Sequence, residues 1–170
     1  MLNKDIRELL NAQINKELYS AYLYLAIANY YAEKNLNGFE NWFTVQAQEE
    51  RDHAMLMRQY LINEGEPVVL TAIDAPKADF SSFQAPLHAS LEHERFVTKS
   101  INTIYAAAQK QDDFRTMNFL NWFVKEQGEE EKNADDLIKR YDLFGADAKG
   151  LYMLNSELAT RVYAPPSLVL

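Results

Sequence analysis

Four stretches of the chain carry apolar residues at helical spacing, and polar residues interrupt each seam at a comparable height. In the first, Leu10, Ile14, Ala21, Tyr24 and Ala28 share a face with Glu17. The second runs Phe43, Gln46, Glu50, His53, Met57, Tyr60, and the third Leu87, Leu91, Glu94, Thr98, Ile101, Tyr105, Ala108. The fourth reads Leu120, Phe123, Gln127, Glu130, Ala134, Leu137, Tyr141. The pattern predicts helices over 4–33, 38–64, 82–110 and 114–142. Asn35–Gly38 and Gln111–Asp113 are short turns, so each joins an antiparallel pair. Residues 65–81, with Gly65, Pro67 and Pro76, make one long link between the pairs, and Ser81-Ser82 offers a cap for the third helix.

The expected fold is therefore all-α: a four-helix bundle with one long crossover, the connectivity of ferritin-like bundles. A shorter pattern over 147–161, with Leu151, Leu154, Leu158 and Val162, predicts a fifth, C-terminal helix ended by Pro165-Pro166. Four helices already close a core. The fifth is expected to find no cover for its apolar face within one subunit, and so to serve assembly. Residues 1–162 read as one domain and 163–170 as a C-terminal tail.

The polar residues within the seams form two displaced sets. Glu17, Glu50 and His53 are matched, 77 positions later, by Glu94, Gln127 and Glu130. Asn41-Trp42-Phe43 recurs as Asn121-Trp122-Phe123 with an offset of 80, which would instead pair Glu50 with Glu130. A carboxylate on one helix facing Glu-x-x-His on the next, roughly doubled, is how a bundle core holds two metal ions. A lone Glu in an apolar stripe is usually solvated, and a lone histidine is usually a satisfied core residue. Four interrupted seams change that weighing. Two like charges about 4 Å apart repel by roughly 4 kcal/mol at an effective dielectric near 20, against a net stability of about 5–15 kcal/mol. Glu17, Glu50, Glu94 and Glu130 would be neutralised by two divalent ions.

Carboxylates with one imidazole suit iron, manganese or zinc. Tyr24, on the face of Glu17, could hydrogen-bond a ligand, supply an electron or simply pack. Gln127 is a weak oxygen ligand or a neutral hydrogen-bonding group. Glu49, Glu126 and Glu129 flank the layer and could hold a third cation, while Glu131 is expected to be solvated. His88 and His93 read as bystanders.

Composition narrows the partners. The 170 residues are 48% hydrophobic and 25% charged, with five Gly and five Pro, which suits a single soluble domain of long helices. No cysteine is present, excluding disulfides, thiolate metal sites and thiol nucleophiles. A net charge of −8 and a pI near 4.9 argue against nucleic acid and anionic membranes and favour cations. No secretory signal or spanning segment is evident, and a cytoplasmic location is expected.

Glu17-Leu18-Tyr19-Ser20, Gln46-Ala47-Gln48-Glu49-Glu50-Arg51-Asp52-His53, Glu126-Gln127-Gly128-Glu129-Glu130-Glu131-Lys132 and Gly150-Leu151-Tyr152 together resemble bacterial non-haem ferritins through about residue 160. The resemblance implies an iron-storage protein with ferroxidase activity, oxidising Fe(II) with dioxygen or peroxide and keeping ferric mineral inside a homo-oligomeric shell of two dozen chains. It implies that Glu17, Glu50 and His53 ligate one iron, and Glu50, Glu94 and Glu130 a second. Glu49, Glu126, Glu129 and Glu130 would form a third iron site, with Tyr24 and Gln127 supporting the ligands. Bacterioferritins carry Glu-x-x-His on the fourth helix as well and a haem-ligating Met on the second; Gln127, Glu130, Arg51 and Asp52 stand there instead, so no haem is expected. A rubrerythrin-type oxidase would usually append a cysteine-ligated iron domain, a DNA-protecting mini-ferritin would lack the fifth helix, and a non-catalytic shell subunit would have lost ligands. The stretch from Val162 to Leu170 departs from the family pattern, which leaves its role open.

Overall fold

The computed structural model describes residues 2–170. Its elements are α1 (Lys4–Glu33), α2 (Asn37–Asn63), α3 (Ala85–Lys110), α4 (Phe114–Phe144) and α5 (Ala148–Leu158). α1 packs on α2 and α3, α3 on α4, and α5 lies across α2 and α4. This is the expected bundle of two antiparallel pairs with one long crossover.

Three helices end the same way, each with one residue in the left-handed region. Asn35 (φ 57°), Gly65 (φ 72°) and Asp112 (φ 53°) follow α1, α2 and α3. The next amide then donates back across the last turn: Leu36 N–H to Tyr31 O, Glu66 N–H to Leu61 O and Asp113 N–H to Ala108 O, at 2.9–3.0 Å. This geometry satisfies carbonyls that the helix end would otherwise orphan. Starts are capped by side chains: Asn3 accepts from Asp5 N–H, Asp113 from Thr116 N–H, and Asp147 from the amides of Lys149 and Gly150.

The crossover is tied along α1. Asn11 bonds Pro67 O and Val69 N–H, Asn15 bonds Ala72 O, and Tyr31 donates to Phe83 O at 2.6 Å. The link thus starts beside the N-terminal half of α1 and reaches its C-terminal end, so α3 runs antiparallel to α1. α3 begins at Ala85 rather than at residue 82, because Pro86 is accommodated only in a first turn. Ser82 accepts from Ala85 N–H within the preceding turn.

The core is in two parts. One contains Ile27, Tyr31, Phe39, Phe43, Leu87 and Leu137. The other contains Leu10, Ile14, Met57, Leu61, Ile101 and Phe123. The interrupted seams lie between them.

The structure corrects the expectation for the fifth helix. α5 buries Leu154 and Leu158 within its own subunit, against the first core part. The sequence pattern concealed the place where it docks. α2 has no side-chain cap of its own, and Asn155 of α5 supplies one, its Oδ1 accepting from Gly38 N–H at 2.8 Å and Phe39 N–H at 3.3 Å. Gly38 is part of α2, not merely a turn residue. A Cβ there would lie 1.6 Å from the Asn155 carbonyl oxygen. Helix α5 ends at Leu158, and the following chain lies on the bundle: Tyr163 donates to Asp52, Trp122 Nε1 donates to Ser167, and Leu168 packs on the second core part.

Gly38→Ala is therefore expected to undock α5. Amide hydrogen exchange should rise across residues 148–158 while α1 and α3 stay protected. Leu158→Ala should destabilise by about 2–5 kcal/mol through the cavity it leaves, read from denaturant unfolding.

Candidate metal centre

Each of the four long helices delivers a functional side chain to the gap between the core parts. Glu17 comes from α1, Glu50 and His53 from α2, Glu94 from α3, and Gln127 with Glu130 from α4; all are buried. Glu50 and His53, three residues apart, lie on one face of α2. Ligand-capable atoms of Glu17, Glu50 and His53 lie within 4.8 Å of one another, as do those of Glu50, Glu94 and Glu130. Glu50 belongs to both groups and bridges them.

Neutral donors orient these carboxylates. Gln13 Nε2 donates to Glu17 Oε1 at 2.8 Å. Gln46 Nε2 donates to Glu50 Oε1 at 3.0 Å and to Glu130 Oε2 at 2.8 Å. Glu94 accepts from the Tyr24 hydroxyl and from Gln127 Nε2, the latter at 3.1 Å. Glu17 Oε2, Glu50 Oε2 and His53 Nδ1 are buried without any hydrogen-bond partner. Leaving buried polar atoms unpaired is costly. Three such atoms in one group fit a divalent cation: hard oxygens and one imidazole, with no sulfur. His53 is held edge-on by Trp122 and Phe123, at ring centroid distances of 5.5 and 6.0 Å.

Burial raises the pKa of all four carboxyls, and mutual repulsion raises it further. Glu17 reaches about 8 through desolvation and the nearby Glu50, and Glu94 about 8 through desolvation and Glu50. Glu50 and Glu130 move the same way, each through desolvation first and then a neighbouring carboxylate, Glu130 for the former and Glu94 for the latter. Tyr24 is held well above the phenol range by burial and by Glu94, so it is a neutral hydrogen-bond donor. His93, beside Ser20 Oγ at 2.7 Å, is pushed down to about 4 by desolvation and is neutral.

A third group comprises His53, Glu126 and Glu130. Glu49 and Glu129 line the same cavity of about 260 Å³ but are otherwise engaged. The Arg161 guanidinium bonds Glu49 Oε2 at 2.5 Å, and Lys125 pairs with Glu129 at 3.2 Å. Glu131, expected to be solvated, is half-buried and accepts from Thr98 Oγ1 at 2.6 Å. Gln13, Gln46 and Arg161 escaped the sequence reading as functional residues. Gln46 had a visible signal, its place in the α2 seam four residues before Glu50; Arg161 had none.

Comparison with known proteins places this architecture. A family model described as a ferritin-like domain matches residues 7–144. The chain belongs to the ferritin family. Over 163 residues it is 38% identical to a bacterial non-heme ferritin of Staphylococcus saprophyticus, spanning 96% of this chain and 98% of that protein. The counterpart from Staphylococcus epidermidis is 37% identical over the same shares. Among solved structures, an open-pore ferritin of the hyperthermophilic archaeon Archaeoglobus fulgidus superposes with a TM-score of 0.93 at 42% identity, covering 95% of this chain and all of that one. A closed form of the Archaeoglobus fulgidus ferritin, made by site-directed mutagenesis, gives 0.94 at 42% identity over 96% of this chain and all of its own. No helix of this ferritin among the described residues is long and apolar enough to cross a membrane.

The raised carboxyl pKa values set a pH dependence for the metal-free protein. A carboxyl whose folded pKa exceeds its ordinary value of 4.5 stabilises the fold fully below that value, and the contribution is lost as pH rises towards about 8. In chelator, the melting temperature should fall between about pH 6.5 and 8, above the range in which His93 titrates. Glu94→Gln should flatten that slope; an unchanged slope would contradict the coupling.

Proposed function

We propose that this ferritin is a ferroxidase that oxidises Fe(II) at the Glu17, Glu50, His53, Glu94 and Glu130 centre and stores the ferric product as mineral inside a shell of two dozen copies. The observation that carries this reading is the pair of ligand groups sharing Glu50, with three buried polar atoms left without hydrogen-bond partners. Glu17, Glu50 and His53 would bind one ferrous ion; Glu50, Glu94 and Glu130 would bind the other. Iron is substrate and cargo here, and haem plays no part.

The chemistry follows from the doubled site. Two ferrous ions give one electron each, so dioxygen accepts an electron pair and two protons and leaves as hydrogen peroxide rather than superoxide. Peroxide, as the alternative oxidant, accepts a further pair and yields water. Raised carboxyl pKa values mean that entering ferrous ions displace protons from the layer near neutral pH. Tyr24 and Gln127 hold Glu94 in its binding orientation, and Gln46 does the same for Glu50 and Glu130. The group around Glu126 and Glu130, with Glu49 and Glu129 beside it, would take a third iron and pass ferric ions onward.

Assembly into a shell fits the apolar residues left uncovered on one subunit. Tyr22, Leu25 and Phe96 on the bundle, Val69 and Leu70 on the crossover, and Tyr152 and Met153 on α5 are all exposed. Covering residues on three separate parts of the chain would take several interfaces rather than one. The closed shell and the acidic charge of −8 per chain suit concentration of cations. The expected location is the cytoplasm.

Aerobic addition of ferrous iron, followed by ferric absorbance, tests the chemistry. Glu50→Ala and His53→Ala should each slow the fast phase by at least about 10–100-fold; equal rates in wild type and both variants would sink the catalytic reading. Light scattering should return the mass of about two dozen chains, and a dimer or dodecamer would contradict the shell.

A further inference from the structure

The ten residues from Arg161 to Leu170 do more than end the chain. Asn41 Nδ2 bonds the carbonyls of Leu158 and Arg161, at 3.2 and 3.0 Å, and this turns the chain back over α2. The turn drops the Arg161 side chain into the cavity beside the third ligand group. There the guanidinium lies 4.2 Å from the Trp42 ring centroid and donates to Trp42 O at 3.1 Å. Its Nη2 donates to Glu49 Oε2 at 2.5 Å and to Gln46 Oε1 at 2.9 Å. Gln46 in turn donates to both Glu50 and Glu130. One side-chain amide, with a hydrogen bond on each side of it, therefore separates a fixed positive charge from two carboxylates of the centre.

The wall facing this cation is acidic. Glu49 is about one-fifth exposed, and Glu126, Glu129 and Glu130 line the same cavity with His53. Beyond Arg161, Ala164, Pro165, Pro166 and Ser167 form part of the cavity lining. Trp122 Nε1 to Ser167 Oγ at 3.0 Å and Tyr163 to Asp52 at 2.5 Å fasten this strap to α4 and α2.

We infer that Arg161 is a built-in competitor for the third metal position: it holds Glu49 as its own counter-ion, leaves only His53, Glu126 and Glu130 to a metal ion there, and keeps that position weak and transient. The inference rests on the di-metal reading above and deepens it. A guanidinium is permanently charged and presents a planar fork of donors, so it holds a carboxylate and an amide oxygen together. A divalent ion arriving a few Å away meets its repulsion in a partly dry cavity. An ion that binds weakly at this position leaves it readily, which suits a transfer station rather than a store. Through Gln46, the same guanidinium fixes the amide that orients Glu50 and Glu130. Arg161 is thus a positioning residue, with no contact to the reacting atoms.

The test uses zinc, which is redox-inert, with the assembled full-length protein. Anomalous maps of zinc-soaked crystals give ion positions and occupancies, and titration against a chromophoric chelator gives affinities in solution. In wild type, zinc should fill the two inner positions first; the third ion should lie against Glu126 and Glu130 while Arg161 stays on Glu49. Arg161→Gln should tighten the weakest zinc class by about tenfold and bring Glu49 into its ligand set. Arg161→Lys keeps the charge but loses the planar fork and the stacking on Trp42, so its weakest zinc class should fall between wild type and Arg161→Gln. Filled inner positions in Arg161→Gln would also show that the variant is folded. If the inner positions fill but the third is indifferent to Arg161→Gln, the inference is overturned alone. The same holds if Glu49 ligates zinc in wild-type crystals with Arg161 swung away, a result needing no variant. Empty inner positions in wild type would overturn both this inference and the di-metal reading.

Discussion

Four carboxylates crowded into the dry middle of a helical bundle set the terms for everything around them. Among the described residues, no Lys or Arg donates directly to Glu17, Glu50, Glu94 or Glu130. Amides and one phenol hold them instead. That choice of partner matters, because an ion pair would satisfy the carboxylates electrostatically and remove the reason to bind a cation. Neutral donors fix geometry without cancelling charge. The layer is thus kept oriented and electrostatically unsatisfied, its acidity suppressed by burial.

Cations stand one or two residues back. Lys16 reaches Glu17 only through Ser100 and Gln13, with contacts of 2.5, 2.5 and 2.8 Å along that chain. Arg161 reaches Glu50 and Glu130 only through Gln46. Both chains end on a glutamine amide, whose oxygen accepts from Arg161 in one case and from the Ser100 hydroxyl in the other while its nitrogen donates to a carboxylate. Positive charge can thereby order the centre while remaining outside it. The two halves of the apolar core keep water from the layer on either side, and that desolvation is the largest cause of the raised carboxyl pKa values.

The legibility of the site in the sequence follows from periodicity. Glu17, Glu50, His53, Glu94, Gln127 and Glu130 fall on seams that are otherwise apolar, so helical spacing alone marks them as inward-facing. Thr98 and Tyr105, read on the same α3 stripe, prove half-buried, while Val97 and Ile104 fill the core beside them. A stripe read at fixed spacing drifts against the true helical period over a helix as long as α3. Gln13 and Ser100 were missed for the opposite reason: a buried Gln or Ser on a mixed face carries no periodic signal.

By itself the sequence determined the number and span of the long helices, the long crossover and the inward set of carboxylates, because those depend on spacing along one chain. It also determined the family, through local runs around the ligands. Only the tertiary structure decided the docking of α5 on α2, the cap that Asn155 gives Gly38, the engagement of Glu49 by Arg161 and the hydrogen bond of Thr98 to the half-buried Glu131. Each of these joins residues from separate elements, and the longest spans 117 positions. Their pairing depends on how helices cross and where a chain turns back, which no repeat in one segment encodes.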